Sequence, residues 1–390
     1  MYVSNTILFT TSPLPAFSFL SVDRAFDARS LARSLVVIMA NEDARYRQSS
    51  QYRLWSFTPA HLSSLREKTN TLAQTNIARR LRAAVPPVDP LPDFLTPQEE
   101  RTLVSFYTVE LLRAAAFCKL PTDTQATAAI FLRRFYVTNS IMTYPPTELL
   151  KTCLFFGSKA EGVYLGAQKF AENFPNTTDA EVLAAEYILC QGIRFAFDVR
   201  HPFRALEGAV MELRRLGDFD DNRINRAHQR TREILKFSPL VTDAYFHYTP
   251  SQIMLAALAM VDEGLVHRML RDAFAGEGEV SKDKVWGVIE KCRATLEKEP
   301  PERMANYWGT PESNKTIKPL TRKLRKCRDP DRVDLVALQR AKREQALKDQ
   351  KTSSGADTDD DDVFGNGNDE ERESKRRKVT AGGDIFGPPL

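Results

Sequence analysis

The sequence predicts an all-α protein, and three observations carry that reading. Apolar residues recur at three-and-four spacing in one segment after another, the pattern of helices that bury one face. Threonine-led capping signals stand at the head of those segments. No succession of period-two strands joined by hairpin turns interrupts them. With 390 residues, 42% of them hydrophobic, the chain has enough apolar surface for one large or two ordinary domains.

In chain order, residues 1–48 are expected to form a disordered extension. Its apolar stretch Leu35 to Ile38 has no basic cluster ahead of it, and Asp23 and Asp27 intervene, so a secretory signal fits poorly. A compact acidic and polar sequence begins at the internal Met39. Residues 49–95 read as an N-terminal helix and linker, with Trp55 to Leu65 predicting a helix that begins after Thr58-Pro59.

Thr96-Pro97-Gln98-Glu99 then offers an N-cap hydroxyl, a proline where no amide donor is needed, and a glutamate at the capping-box position. The helix that follows carries its stripe on Leu103, Phe106, Tyr107, Leu111, Ala114, Ala115 and Cys118. Thr122 to Gln125 opens a second helix, striped by Ala128, Phe131, Leu132, Phe135 and Tyr136. Thr178 to Glu181 opens another, carrying Leu183, Tyr187 and Cys190. Thr249 to Gln252 opens a fourth. Its continuation, Ile253 to Val261, is apolar all round, which places it at the centre of a bundle.

Counted this way, about five helices lie between Thr96 and Phe197 and about five between Pro202 and Leu296, joined at His201-Pro202. The expected units are therefore residues 96–200 and 201–299. Beyond the break at Pro300-Pro301, residues 300–350 form a charge-dense helical segment. Residues 351–390, with an aspartate run at Asp359 to Asp362 and a basic run at Lys375-Arg376-Arg377-Lys378, cannot bury enough apolar area to order themselves.

Composition narrows the function classes. The formal net charge of +4 is scattered, so the totals give no ground for a phosphate-binding face, and no direct nucleic-acid binding is expected. The longest apolar stretch is about half the roughly 20 residues that a bilayer requires, so no membrane segment is expected. Cys118, Cys153, Cys190, Cys292 and Cys327 sit far apart without the close pairs of a zinc site; they read as reduced core thiols, and no metal or cofactor is expected. There is no glycine-rich phosphate loop, serine elbow or paired-histidine motif, so an enzyme reading has little support.

Helix counting alone fits several bundles and solenoids. Four stretches are more specific: Ser49-Ser50-Gln51 leading to Trp55-Ser56-Phe57; Phe131 to Tyr136 followed by Asn139-Ser140; Phe155 to Glu161, reading FFGSKAE; and Leu240 to Tyr245 followed by Tyr248 to Ile253. In order across about residues 49–326, they resemble the cyclins, and within them the cyclin H type, in its fungal form. The resemblance implies two tandem five-helix cyclin boxes with flanking helices. It also implies a regulatory subunit, without catalysis of its own, that binds and activates a cyclin-dependent kinase of the CDK-activating kinase module of TFIIH. A third assembly subunit, the TFIIH core and a nuclear location come with it. The outcome would be phosphorylation of other cyclin-dependent kinases and of the RNA polymerase II C-terminal domain. No small-molecule substrate is expected.

The resemblance assigns kinase contact to Lys159, Glu186, Glu161 and Phe156, with Lys159 and Glu186 matching the family's paired lysine and glutamate. A physical reading supports the pair. Glu186 falls beside an apolar stripe, where an unpaired charge is costly, and Lys159 falls at a helix C-terminus, where a cation is favoured. The chain departs from the family at Gly162, where many cyclins carry a second acid, which leaves a contact from that position open. The first helix lacks the Met-Arg…Leu…Trp pattern of substrate-recruiting cyclins, so no docking patch of that kind is expected. The helices around Thr58 to Leu72 and Leu320 to Ala346 resemble the flanking pair of cyclin H. Lys375, Arg376, Arg377 and Lys378 read as a nuclear import signal. Two other readings stand beside this one: a cyclin C-like subunit of the Mediator kinase, and a promoter-binding transcription factor with cyclin-like repeats.

Overall fold

The computed structural model describes residues 45–84, 86–88, 90–275, 279–307, 310–330, 334–337, 340–341, 344–345 and 348. The extension through Met39 and the tail with Lys375 to Lys378 lie outside the described residues. The architecture below belongs to the compact unit that ends at Gln339. Among the described residues every regular element is a helix.

Two helices lead in, α1 (Ser50–Trp55) and α2 (Pro59–Ala83). A first repeat follows: α3 (Pro97–Phe117), α4 (Thr122–Thr138), α5 (Pro146–Ala160), α6 (Ala167–Ala171), α7 (Asp179–Ala184) and α8 (Glu186–Gly192). The second contains α9 (Phe203–Leu216), α10 (Asp221–Leu235), α11 (Ser238–Val241), α12 (Ala244–His247), α13 (Pro250–Val261), α14 (Glu263–Ala273) and α15 (Glu279–Leu296). Then come α16 (Arg303–Asn306) and α17 (Pro311–Lys326).

Each repeat is built round one helix. In the first it is α4, buried continuously from Ala126 to Val137 and packed against α2, α3, α5 and α8. Small residues let α5 approach closely: a β-carbon on Gly157 would stand 3.0 Å from that of Ala128. In the second repeat it is α13, which packs against α9, α10, α14 and α15 with Ile253, Ala256, Ala257 and Leu258 buried. A helix enclosed on all sides must be apolar all round, as Ile253 to Val261 is.

The caps form largely where the sequence writes them. Thr96 and Thr249 each make a complete capping box, with Glu99 and Gln252, and Thr58 caps α2. Thr122 does not cap. Pro121 takes that position with an extended backbone, Thr122 becomes the first helical residue, and Gln125 donates to the Leu120 carbonyl instead. The segment after Thr178 also differs from expectation. The chain breaks at Ala185 into α7 and α8, and the buried line is Val182, Ala185, Leu189 and Ile193 rather than Leu183, Tyr187 and Cys190. Tyr187 is thereby turned outward, 47% exposed.

Two clasps bind the lead-in helices to the rest of the fold, and the first also joins the repeats to each other. Asp243, between α11 and α12, takes a two-pronged bond from Arg66 of α2 (2.7 and 2.9 Å), a bond from Arg133 of α4 (2.6 Å) and the charge of Arg101 of α3 (3.2 Å). Arg133 also donates to the Val241 carbonyl at 2.6 Å. Burial raises the Asp243 pKa, but the Arg66 bonds and the charges of Arg133, Arg66 and Arg101 outweigh it and hold the carboxyl well below the usual carboxylate range.

The second clasp is Trp55, fully buried, with the guanidiniums of Arg134 and Arg194 over its ring at 5.4 and 5.5 Å from the centroid. Beside it Gln51 accepts from the backbone amide of Arg200, in the connection between the repeats. The flanking segments also meet: Arg80 of α2 pairs with Asp329, just beyond α17, and Lys323 of α17 reaches Glu99 of α3 at 3.0 Å.

Candidate functional site

The C-terminus of α5 and the start of α8 converge on one edge of the first repeat. Helix α5 stops because Gly162 adopts a left-handed conformation (φ 70°). Its amide donates to the Lys159 carbonyl and that of Val163 to the Ser158 carbonyl, a Schellman closure. Glycine at 162 therefore meets a backbone requirement at the helix end. Lys159 sits in the last turn, where the carbonyl end of the helix favours a cation.

Across from it, the break at Ala185 makes Glu186 the first residue of α8. The stripe Val182–Ala185–Leu189 faces the core, so Glu186 lands on its margin with its side chain 22% exposed. Lys159 Nζ meets Glu186 Oε1 at 2.5 Å and lies 5.1 Å from the centroid of the Phe155 ring. The lysine side chain is 47% exposed, and ion pairs this open add only about 0–1 kcal/mol to a fold. The pair therefore contributes little to folding stability.

One turn before Lys159 on the same helix, Phe156 belongs to an aromatic cluster. Phe156 packs inward on Phe131 (5.8 Å between centroids) and outward on Phe197 (5.2 Å), which in turn contacts Phe195 (6.2 Å). Phe195 is 50% and Phe197 38% exposed, while Ala196 between them is buried. From Ala196 the chain leaving α8 has no regular structure. Just before it, Arg194 and Phe195 both hold left-handed backbone (φ 56° and 53°), a conformation that non-glycine residues adopt only where surroundings impose it.

Phe195, Phe197 and Tyr187 are absent from the sequence-derived set. The signal was there in Phe195-Ala196-Phe197, a period-two pair directly after a helical stretch. Nearby Cys190 is not activated: burial, reinforced by the Glu186 charge, pushes its thiol up to about 11.

Glu161 is tied inward. Its Oε1 accepts from the Thr127 hydroxyl at 2.5 Å, and Thr127 Oγ1 is 2.8 Å from His201 Nε2. His201 Nδ1 lies 2.8 Å from the Tyr245 hydroxyl. The four sequence-derived residues thus share one edge of the first repeat: Lys159 and Glu186 in direct contact, Phe156 in the aromatic cluster, Glu161 anchored to α4. The set Lys375, Arg376, Arg377 and Lys378 is outside the described residues. Among the described residues no group of three or more metal-ligating side chains converges.

Comparison with known proteins gives the same reading from another direction. Residues 201–297 match the family model described as cyclin C-terminal domain. The chain is 33% identical over 261 residues to cyclin CCL1 of Saccharomyces cerevisiae, covering 63% of this chain and 65% of that protein, just under two thirds of its length. It is 34% identical over 222 residues to cyclin mcs2 of Schizosaccharomyces pombe, 55% of this chain and 68% of that protein. Among solved structures, a chain of the CAK complex of Chaetomium thermophilum bound to ATP-gamma-S superposes with a TM-score of 0.74. It is 55% identical, and the match covers 83% of this chain and 99% of that one. A chain of the yeast TFIIK (Kin28/Ccl1/Tfb3) complex is 31% identical at a TM-score of 0.54, covering 64% of this chain and all of that one. With two helical repeats each built round a buried helix, and relatives of this identity, the chain belongs to the cyclin family, in its cyclin H branch.

Proposed function

We propose that this chain is the regulatory cyclin of a CDK-activating kinase, and that the edge carrying Lys159, Glu186, Phe156 and Glu161, enlarged by Phe195 and Phe197, is where the kinase binds. The carrying observation is an exposed ion pair on the helix that also carries Phe156, whose ring leads to the exposed Phe197 and Phe195. That combination suits a desolvated contact with a partner better than a permanent face to water. The two cyclin boxes are residues 96–200 and 201–299. The chain has no chemistry of its own: it favours the active arrangement of the kinase's regulatory helix, and shifts that population only by its differential affinity for the two states.

A third assembly subunit fits the three named components of the yeast TFIIK relative, and attachment to the TFIIH core and a nuclear location follow from the same reading. The kinase so activated would phosphorylate other cyclin-dependent kinases and the RNA polymerase II C-terminal domain. A promoter-binding role is less well supported. Most arginines of the second repeat pair with carboxylates, as in Arg223–Asp262 at 2.7 Å and Arg232–Glu207 at 3.0 Å, which reduces the positive charge left to meet phosphates.

The test is charge reversal within the co-purified cyclin–kinase complex. Glu186→Lys and Lys159→Glu are each expected to weaken kinase association and activation while thermal stability stays near wild type. Retention of wild-type binding and activation by both variants would overturn the assignment.

A further inference from the structure

Glu161 ends a polar chain that begins in the second repeat, and the direction of every bond in it can be deduced. The carboxylate can only accept, so the Thr127 hydroxyl donates its single proton to Oε1 over 2.5 Å. Thr127 must then accept from His201, which fixes the proton on Nε2 at 2.8 Å. Burial first, and the charge of Arg134 second, push the His201 imidazole down to about 3, so the ring is neutral and its Nδ1 is an acceptor. The Tyr245 hydroxyl, 2.8 Å away, therefore donates to it.

The chain runs one way, from Tyr245 of α12 through His201 of the connection and Thr127 of α4 to Glu161 at the end of α5. The ring of His201 is flanked by those of Phe203 and Tyr245, each 5.8 Å away between centroids. The backbone next to it is held by the Gln51 contact at Arg200. The relay is thus clamped on both sides.

We propose that Thr127, His201 and Tyr245 are positioning residues for kinase binding: their one-way hydrogen-bond chain orients the Glu161 carboxylate toward the kinase and makes second-repeat packing a determinant of the first-repeat contact. This rests on the reading of Glu161 as a kinase contact. With one oxygen held by Thr127 and the residue only partly buried, the carboxylate is restricted in direction and can receive a cationic or N–H donor of the partner. Without the relay the carboxylate would rotate freely, and its ordering would oppose association.

The test measures affinity of the full-length chain for its co-purifying kinase. Thr127→Val keeps the volume and removes the hydroxyl; it is expected to weaken binding about tenfold, with Thr127→Ser restoring it. Tyr245→Phe, at the far end, is expected to weaken it about threefold. In a Glu161→Ala background neither change should weaken binding further, because no carboxylate is left to position. A merely structural role would lower affinity equally in both backgrounds, and that result overturns the relay, as does wild-type affinity of Thr127→Val alongside a weakened Glu161→Ala. Wild-type affinity of Glu161→Ala overturns the contact reading itself and the relay with it, so the two failures are distinguishable. Should Thr127→Val not fold, Tyr245→Phe in the two backgrounds decides in the same way.

Discussion

The two repeats share a plan, a buried helix ringed by others, yet they meet water in different ways. On the first, Phe117, Tyr164, Tyr187, Phe195 and Phe197 are exposed, and the half-exposed Lys159 pairs with Glu186, the neighbour of Tyr187 in the chain. On the second, Met211 is the sole large hydrophobic exposed among the described residues. Its surface is instead laced with arginine–carboxylate pairs: Arg215 with Glu212 and Asp272, Arg223 with Asp262, Arg268 with Asp218, Arg293 with Glu263 and Glu297. A surface whose charges are already matched gains little from a partner, whereas one that presents rings and a lightly engaged ion pair gains by being covered. On the proposed reading the first repeat carries the contact and the second mainly holds it in place.

That contrast can be broken or sharpened by substitution. The largest effect is expected at the joint. Asp243→Ala leaves Arg133 buried without its counter-charge, and should cost on the order of 3–5 kcal/mol in denaturant unfolding. At the first-repeat edge, Glu186→Lys should reduce kinase affinity roughly thirtyfold, about 2 kcal/mol, with little change in melting temperature. A loss of stability as large as the loss of affinity would mean that the pair is structural and the contrast is false.

A pH dependence comes next. His201 is held at about 3 when folded and titrates near its ordinary 6.5 when unfolded, so the unfolded chain takes up a proton that the folded chain refuses. Stability should therefore be undiminished above about pH 6.5 and fall by up to about 1.4 kcal/mol per pH unit as the pH drops from there toward 4. His201→Gln, compared with wild type by thermal melts at pH 7 and pH 5, should flatten that slope. The smallest effect is expected on the second-repeat surface, where Arg223→Ala should cost under about 1 kcal/mol, less at high salt, and leave kinase affinity unchanged.

Much of this was legible in the sequence, for identifiable reasons. Thr58, Thr96 and Thr249 announce their helices because capping is local chemistry, decided within four residues. Ile253 to Val261 announces a central helix because enclosure on all sides leaves no polar face to write. Where the outcome depends on non-local packing, the pattern misleads. The break at Ala185 rotates the buried line away from Leu183 and Tyr187, and nothing at Ala185 itself signals a stop. The ion pair joins residues 27 positions apart, and spacing alone could not have joined them; their resemblance to a known pair did. Thr127, His201 and Tyr245 were beyond reach, since each is an ordinary residue in its own segment and acquires meaning only when three segments converge.

The Asp243 clasp has a consequence for how the protein is made. Ribosomal synthesis runs from the N-terminus, so Arg66, Arg101 and Arg133 are all polymerised more than a hundred residues before the carboxylate that neutralises them, Arg133 by 110 and Arg66 by 177. Until Asp243 leaves the exit tunnel, the middle helix of the first repeat cannot bury Arg133 without a stranded charge. The nascent first repeat is thus expected to stay loose and chaperone-dependent, and to lock only when the second is nearly complete.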